Sequence, residues 1–252
     1  MRMTNKFYDT GEQRAARVGD LFATIAPRYD LINDLQSFGL HRLWKRRLVR
    51  LADPQPGQRA LDICCGTGDV AFALRRAGAS VVGLDFSEPM LAVARQRAGA
   101  REGRRQEAGD GTVPSLEFRQ GDAQQLPFPD NSFEIVTISY GLRNLADWEL
   151  GLREMWRVAK PGGRLLVLDF GKPDPPLWRQ LYFAYLGWFV PLFGKLFCGD
   201  SETHAYILES LKKYPAQRGV AAKLQAMECS DVRAINLLGG VMSINLARKP
   251  VG

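Results

Sequence analysis

The chain has 252 residues, 46% hydrophobic and 24% charged, with 34 Lys and Arg against 27 Asp and Glu for a formal net charge of +7. That mix describes one globular domain with room for an appendage, and excludes a disordered, collagenous or coiled-coil chain. Four cysteines with no CxxC pair exclude a secreted disulfide scaffold and a structural zinc site, so no metal is expected and a reducing compartment fits best.

The first residues, MRMTNKFYDTGEQRAAR, are polar and lack the apolar stretch of a secretory signal. Residues 1–52 then read as helical, with breaks near Pro27 and Gly39, and Pro54 and Pro56 close the segment. From Arg59 the texture becomes alternating strand and helix. RALDIC (59–64) is a short apolar strand, and DVAFALRRAG (69–78) is an amphipathic helix stopped by Gly78. SVVGLD (80–85) is a second buried strand, and 87–100 is a helix with Ser87 at its N-cap position. Residues 101–114 read as a polar, glycine-containing loop. Strands follow at 115–120, 133–140 and 165–170, with a helix at 148–159 and a KPGGR turn at 160–164. This rhythm predicts an α/β fold on a mostly parallel sheet. The pattern breaks after Lys172 with an aromatic-rich insertion, whose longest near-apolar run (181–193) is shorter than the roughly 20 residues a membrane-spanning helix needs. A helix at 216–228 and a hairpin turning at Gly239 and Gly240 close the chain, making the last strand antiparallel.

The strongest motif is LDICCGTGD (61–69), where a strand runs through Gly66, Thr67 and Gly68 into a helix. Such glycines permit a tight turn and let a ligand approach the backbone, which points to a nucleoside-type ligand, with a purely structural turn as the alternative. Asp85 ends the second strand, where a carboxylate can accept from ribose hydroxyls or simply cap a helix. Phe86 follows and can pack on a base. Asp122, after the third strand, is placed to accept from an adenine amine. A dinucleotide would set a pyrophosphate at the helix N-terminus, which attracts anions. Here Asp62 and Asp69 flank the loop, and carboxylates suit a ligand carrying an ammonium and a sulfonium. The expected cofactor is therefore S-adenosylmethionine, leaving as S-adenosylhomocysteine.

Four stretches carry a family resemblance: LDICCGTGD, VVGLDFSEPML, GDAQQLPFPDNSFEIVTISYGLRNL and REMWRVAKPGGRLLVLDFGKP. With FATIAPRYDLIND (22–34), SFGLHRLWK (37–45) and YILESLKKYP (206–215), they resemble the UbiE/MenG family of class I, Rossmann-like methyltransferases, which C-methylate quinone precursors. The resemblance runs from about Val18 to Lys249. It implies cofactor contacts at Thr67, Asp85, Asp122, Ala123 and Ser139, and places Arg143, Asn144 and Tyr29 facing the quinol ring. It also implies a division into an N-terminal helical substrate cap (1–52), a cofactor-binding core (53–172), a helical lid (173–215) and a closing helix and hairpin (216–252). The chain departs from the family at Glu228-Cys229 and at Met242-Ser243-Ile244, and its C-terminal stretch is similar to the phylloquinone-making branch.

A quinol ring carbon is a weak nucleophile until the adjacent hydroxyl loses its proton, so a base or water relay is expected at the site. Arg143 is a poor base, better suited to stabilising a developing phenolate. Asp169 ends the fifth strand and reads equally as a base or as a cap on the next turn. His41 and His204 have no partner that would make a site, and read as surface or packing residues.

The insertion, with Trp178, Tyr182, Phe183, Tyr185, Trp188, Phe189, Phe193 and Phe197, reads either as an ordinary helical subdomain or as a lid gripping an isoprenoid tail. Its Trp and Tyr residues, and a basic cluster of Arg42, Lys45, Arg46, Arg47 and Arg50, suit peripheral contact with an anionic membrane, inner or thylakoid, by an otherwise cytoplasmic enzyme. A homodimer is a further expectation. Nucleic acid is not an expected partner: amino methylation of bases needs an (N/D)PP(Y/F)-like motif where this chain has SYGLRN. A small-molecule O-methyltransferase, a benzoquinol enzyme and a non-catalytic cofactor-binding module remain as rivals.

Overall fold

The computed structural model describes residues 29–107, 114–189, 210–211 and 214–251. Two helices come first, α1 (Tyr29–Ser37) and α2 (Leu40–Ala52), separated at Phe38 and Gly39, both at positive φ. The sequence break near Pro27 lies outside the described residues. Then follow β1 (Arg59–Ile63), α3 (Asp69–Arg76), β2 (Ser80–Asp85), α4 (Glu88–Glu107), β3 (Leu116–Gln120), β4 (Phe133–Ser139), α5 (Trp148–Val158) and β5 (Ala159–Phe170). The chain continues through α6 (Pro176–Ala184) and a π-helical turn (Tyr185–Phe189), then α7 (Ala216–Ala226) and the hairpin of β6 (Ser230–Leu237) and β7 (Met242–Arg248).

The seven strands form one sheet in the order β3-β2-β1-β4-β5-β7-β6. The first five are parallel, and β7 and β6 are antiparallel. Helices cover both faces, so the central strands are apolar along their length rather than alternating. Leu61, Ile63, Ile135, Val136, Leu165 and Leu166 are all fully enclosed, each such side chain stabilising the fold by about 1.5–3 kcal/mol. On one face α2 and α3 bury Leu48, Ala52, Val70 and Leu74; on the other α5 and α7 bury Leu152, Met155, Val220 and Leu224. The α5 N-terminus is capped by Asp147, whose carboxylate accepts from the Glu149 and Leu150 amides at 2.9 Å.

Chain order reverses between β1 and β4, which are adjacent in the sheet although β2 and β3 come between them in sequence. The connections leaving their carboxyl ends diverge there and open a crevice, the usual ligand position in such sheets.

Three local expectations change. The loop expected from residue 101 begins as helix, because α4 runs on to Glu107; REGRRQE is rich in good helix formers, and one interior glycine costs only about 1 kcal/mol. The KPGGR turn lies inside β5. Phe133 pairs with Ala159 and Ile135 with Arg164, so the intervening residues bulge out of the ladder, with Gly162 at φ 75°. Ser87 precedes α4, but its buried hydroxyl makes no cap; its amide instead donates to Asp85 Oδ1 at 2.9 Å.

Candidate active site

β1 delivers the chain into a loop that reverses direction at Gly66 (φ 54°) and Gly68 (φ 88°) before α3. A Cβ on Gly68 would stand 2.9 Å from the rings of both Phe118 and Phe72, so glycine is required there. Gly68 shapes the loop from beneath, while Gly66 lines the cleft above it. Arg97 of α4 pins the loop, donating to Thr67 O at 2.9 Å and to Asp69 Oδ1 at 2.7 Å.

The cleft at the switch point encloses about 870 Å³, open mouth included. Asp85, Phe86, Asp122, Ala123 and Ser139 all line it. Asp85 Oδ2 accepts from the Gly66 amide at 2.7 Å and Oδ1 from the Ser87 amide. With the Phe86 amide also close, at least one of the carboxylate's roughly four acceptor sites remains for a ligand hydroxyl. Burial raises the Asp85 carboxyl above its ordinary value, with the Ser87, Gly66 and Phe86 amides pulling the other way. The Phe86 ring is 52% exposed, free to lie against a planar ligand. Asp122 is fixed by the Gln124 amide on Oδ1 at 2.8 Å.

A smaller slot shares Cys64, Gly66, Ser139 and Tyr140 with the cleft and extends it past the glycine loop. Asp62 lies there, 1% exposed. Its Oδ1 accepts from Thr137 Oγ1 at 2.7 Å. Oδ2 has no hydrogen-bond partner, although the Ala71 amide is near enough to favour the charged form. Burial outweighs Thr137 and lifts the carboxyl to about 7. Asp69 behaves oppositely: burial pushes it up, but Lys45 (3.0 Å) and Arg97 outweigh that and hold it at about 2.

Three residues that line this combined cavity, Asp62, Ser87 and Ser139, each carry a buried side-chain oxygen without a hydrogen-bond partner, Oδ2 in Asp62 and Oγ in the serines. Orphaned groups cost stability and mark where a ligand completes the hydrogen bonding. The acids Asp62, Asp85 and Asp122 fit a nucleoside with a cationic substituent. They do not suit a pyrophosphate, because a further acid, Asp69, stands in the first turn of α3 where the helix N-terminus would otherwise attract an anion.

At the acceptor end, Leu142–Asn144 forms a 3₁₀ turn after β4. Asn144 lines the cleft, and its Nδ2 donates to Tyr140 O at 3.2 Å. Arg143 lies behind it, only 7% exposed, donating from Nη1 to Asn144 Oδ1. Its Nε is 3.4 Å from Asp169 Oδ1 and its guanidinium lies over the Phe170 ring at 4.8 Å. Asp169 also accepts from the Arg143 amide at 3.1 Å and the Phe170 amide at 2.8 Å. Of the two roles its position allowed, this is the capping arrangement. Tyr29 opens α1; its side chain lies outside the described residues. Burial and neighbouring carboxylates push the Cys64 and Cys65 thiols well above their ordinary value, which makes them poor nucleophiles. His41 is a packing residue between Ser37 and Asp34, lowered to about 4 chiefly by burial. His204, Phe193 and Phe197 fall outside the described residues.

The sequence pointed to Asp62, Asp85 and Asp122 but not to Lys45, Arg97 or Thr137. Each of these reaches the loop or its acid from a distant segment. Lys45 sat in a run of bases expected on the surface, yet its side chain is 13% exposed and turned onto Asp69.

Among solved structures the chain is similar to a SAM dependent methyltransferase from Aquifex aeolicus (TM-score 0.59, 16% identity, 87% of this chain and 97% of that one). It is also similar to the [4+2]-cyclase SpnF (TM-score 0.60, 18% identity, 93% and 96%). The fold is that of the class I, Rossmann-like methyltransferases. Among curated proteins, ubiquinone/menaquinone biosynthesis C-methyltransferase UbiE of Ectopseudomonas mendocina (strain ymp) is 42% identical over 252 aligned residues, 97% of this chain and 93% of that protein. Demethylmenaquinone methyltransferase of Desulfitobacterium hafniense (strain Y51) is 40% identical over 244, covering 96% and 93%. The chain belongs to the ubiE/COQ5 methyltransferase family, whose model matches residues 9–249.

Proposed function

We propose that this enzyme uses S-adenosylmethionine to methylate a ring carbon of a prenylated 1,4-naphthoquinol, with a phytyl or polyprenyl tail. The observation that carries the cofactor assignment is the row of acids along the strand tips, ending at the bare Asp62 Oδ2. Asp122 and Ala123 would hold the adenine, Asp85 the ribose, Phe86 the base face, and Thr67, Gly66 and Ser139 the region of the sulfur. When bound, S-adenosylmethionine supplies the electrophilic methyl group. The naphthoquinol rests on the demethylmenaquinone relative; the ubiquinone/menaquinone name of the other keeps a benzoquinol as second reading.

The protein's own contribution is alignment and charge. The tight glycine loop and the Asn144 turn fix the two walls between which nucleophile and methyl must meet in line. Arg143 turns Nη1 to Asn144 and Nε to Asp169, so the positive end of the pair faces Asn144, which lowers the cost of the phenolate form of the quinol and so raises electron density on the neighbouring carbon. Asp169 holds that charge in place rather than accepting the proton.

The lid and cap roles of residues 173–215 and 1–52 belong to the same proposal, as does peripheral contact with an anionic membrane. Among the described residues no helix is long and apolar enough to cross a membrane. Leu31, Phe38, Leu177, Leu181 and the 83% exposed Trp188 are open to solvent on α1, the break after it, α6 and the π turn. Those elements adjoin, since Tyr185 OH donates to Gln36 O at 3.1 Å. Of the basic cluster, Arg46, Arg47 and Arg50 are exposed on α2, Arg42 is exposed but paired with Asp34, and Lys45 is turned onto Asp69. Flotation with anionic liposomes at low salt tests this contact, and its absence there would count against it.

One assay tests the activity. Methyl-labelled S-adenosylmethionine is incubated with reduced demethylnaphthoquinol and, in parallel, a demethoxybenzoquinol. Label on ring carbon of the naphthoquinol supports the proposal; label on oxygen, or on the benzoquinol alone, contradicts it.

A further inference from the structure

The slot beyond the glycine loop holds opposite charges. Asp62 presents a bare carboxylate oxygen, and Lys45 enters from α2, on the far side of the loop in sequence. Asp69 lies between two cations, with Lys45 Nζ on Oδ2 at 3.0 Å and Arg97 Nη2 on Oδ1 at 2.7 Å. One carboxylate thus faces two positive groups, so Asp69 is not held by Lys45 alone. An ammonium carries three donors, of which Asp69 takes one, and Lys45 Nζ also lies 6.0 Å from the centroid of the Tyr140 ring that walls slot and cleft alike. The slot encloses about 320 Å³, open mouth included, far less than the cleft it extends.

A cation and an unpartnered acid in one narrow space match a zwitterion. We propose that Lys45 is a donor-site residue that binds the α-carboxylate of the cofactor's amino-acid end, while Asp62 takes its α-ammonium. The inference rests on the S-adenosylmethionine reading and adds a residue from the N-terminal helices to the donor site. Asp62 alone would accept any cationic nucleoside; Lys45 makes the slot selective for one that also carries the carboxylate.

The test pairs two ligands with three variants, read by isothermal titration calorimetry. S-adenosylhomocysteine carries the carboxylate, and S-adenosyl-3-thiopropylamine is the same molecule without it. Wild type should bind the first at least about tenfold more tightly, the scale of one charge-assisted hydrogen bond. Lys45→Met should weaken S-adenosylhomocysteine by about 10- to 100-fold and leave the decarboxylated ligand within about twofold. Lys45→Arg should restore most of the difference. Should the Met variant not fold, Lys45→Gln, which can still donate to Asp69, carries the same expectation. Equal weakening of both ligands would mean Lys45 only braces the loop, and unchanged binding of S-adenosylhomocysteine would mean it makes no contact; either overturns the proposal. Wild type binding neither ligand would overturn the cofactor reading itself, and this proposal with it.

Discussion

Asp85 and Asp169 both end parallel strands and are both buried, yet they face different tasks. Asp85 is held by backbone amides and turns its remaining lone pairs to the cleft. Asp169 is closed off, its oxygens taken by two amides and by Arg143. The proposed donor side of the cleft therefore leaves its acid open to a ligand, and the acceptor side uses its acid to fix a cation. Neutral amide donors hold a carboxylate without neutralising it, whereas an ion pair does both. The same residue type at the same structural position becomes a ligand contact or a scaffold according to what the neighbouring loop supplies.

The sharpest way to break this contrast is Arg143→Ala. It leaves the buried Asp169 without its cation and held by two amides alone, so the folded state should lose about 3–5 kcal/mol in chemical denaturation. Adding Asp169→Asn should recover most of that stability while turnover stays low. Full turnover in the double variant would reduce Arg143 to scaffolding. Next, Asp85→Ala should weaken S-adenosylhomocysteine by roughly 100-fold in calorimetry, since it removes the ribose acceptor and frees the Gly66 and Ser87 amides. A loss under about threefold would remove Asp85 from the donor site.

A smaller effect follows from Asp62, whose carboxyl burial lifts to about 7 from 3.8. Between those values the folded protein keeps a proton the unfolded chain has lost, so this group's contribution to stability falls as pH rises through that window. An ammonium beside Oδ2 favours the carboxylate, so donor binding should release the proton. Affinity should climb from about pH 6 to about pH 8, by at most about tenfold per unit below the pKa. Asp62→Asn should flatten that rise, and calorimetry in buffers of different ionisation enthalpy reads the proton directly. The smallest expected change is at Phe86. Replacement by Ala should weaken binding by about 2- to 13-fold, the range for losing an aromatic contact, with no change in thermal stability because the ring is exposed.

Much of the donor side was legible in the sequence because its information is local. Strand, glycine loop and helix follow one another within LDICCGTGD, and Asp85 and Asp122 come at strand ends that hydrophobic runs reveal. The acceptor side was legible only through resemblance. Its decisive feature, the burial of Arg143 against Asp169, joins residues 26 apart in sequence, and nothing in GLRN says whether the guanidinium faces ligand or core. Lys45 was misplaced for a related reason. Five bases in a short helical stretch read as one cluster facing a membrane, yet a helix points successive side chains in different directions, and one of the five faces inward onto Asp69 of α3. The continuation of α4 past residue 100 and the bulge within β5 were hidden because glycines were read as stops where the surrounding hydrogen bonding tolerates them.

The proposed ligand of the strand tips is a sulfonium nucleoside. Calorimetric titration of the purified protein with S-adenosylhomocysteine and, separately, with NADH decides it. Saturable binding of the first and none of the second is the predicted result. Tight uptake of NADH with no response to S-adenosylhomocysteine would contradict it.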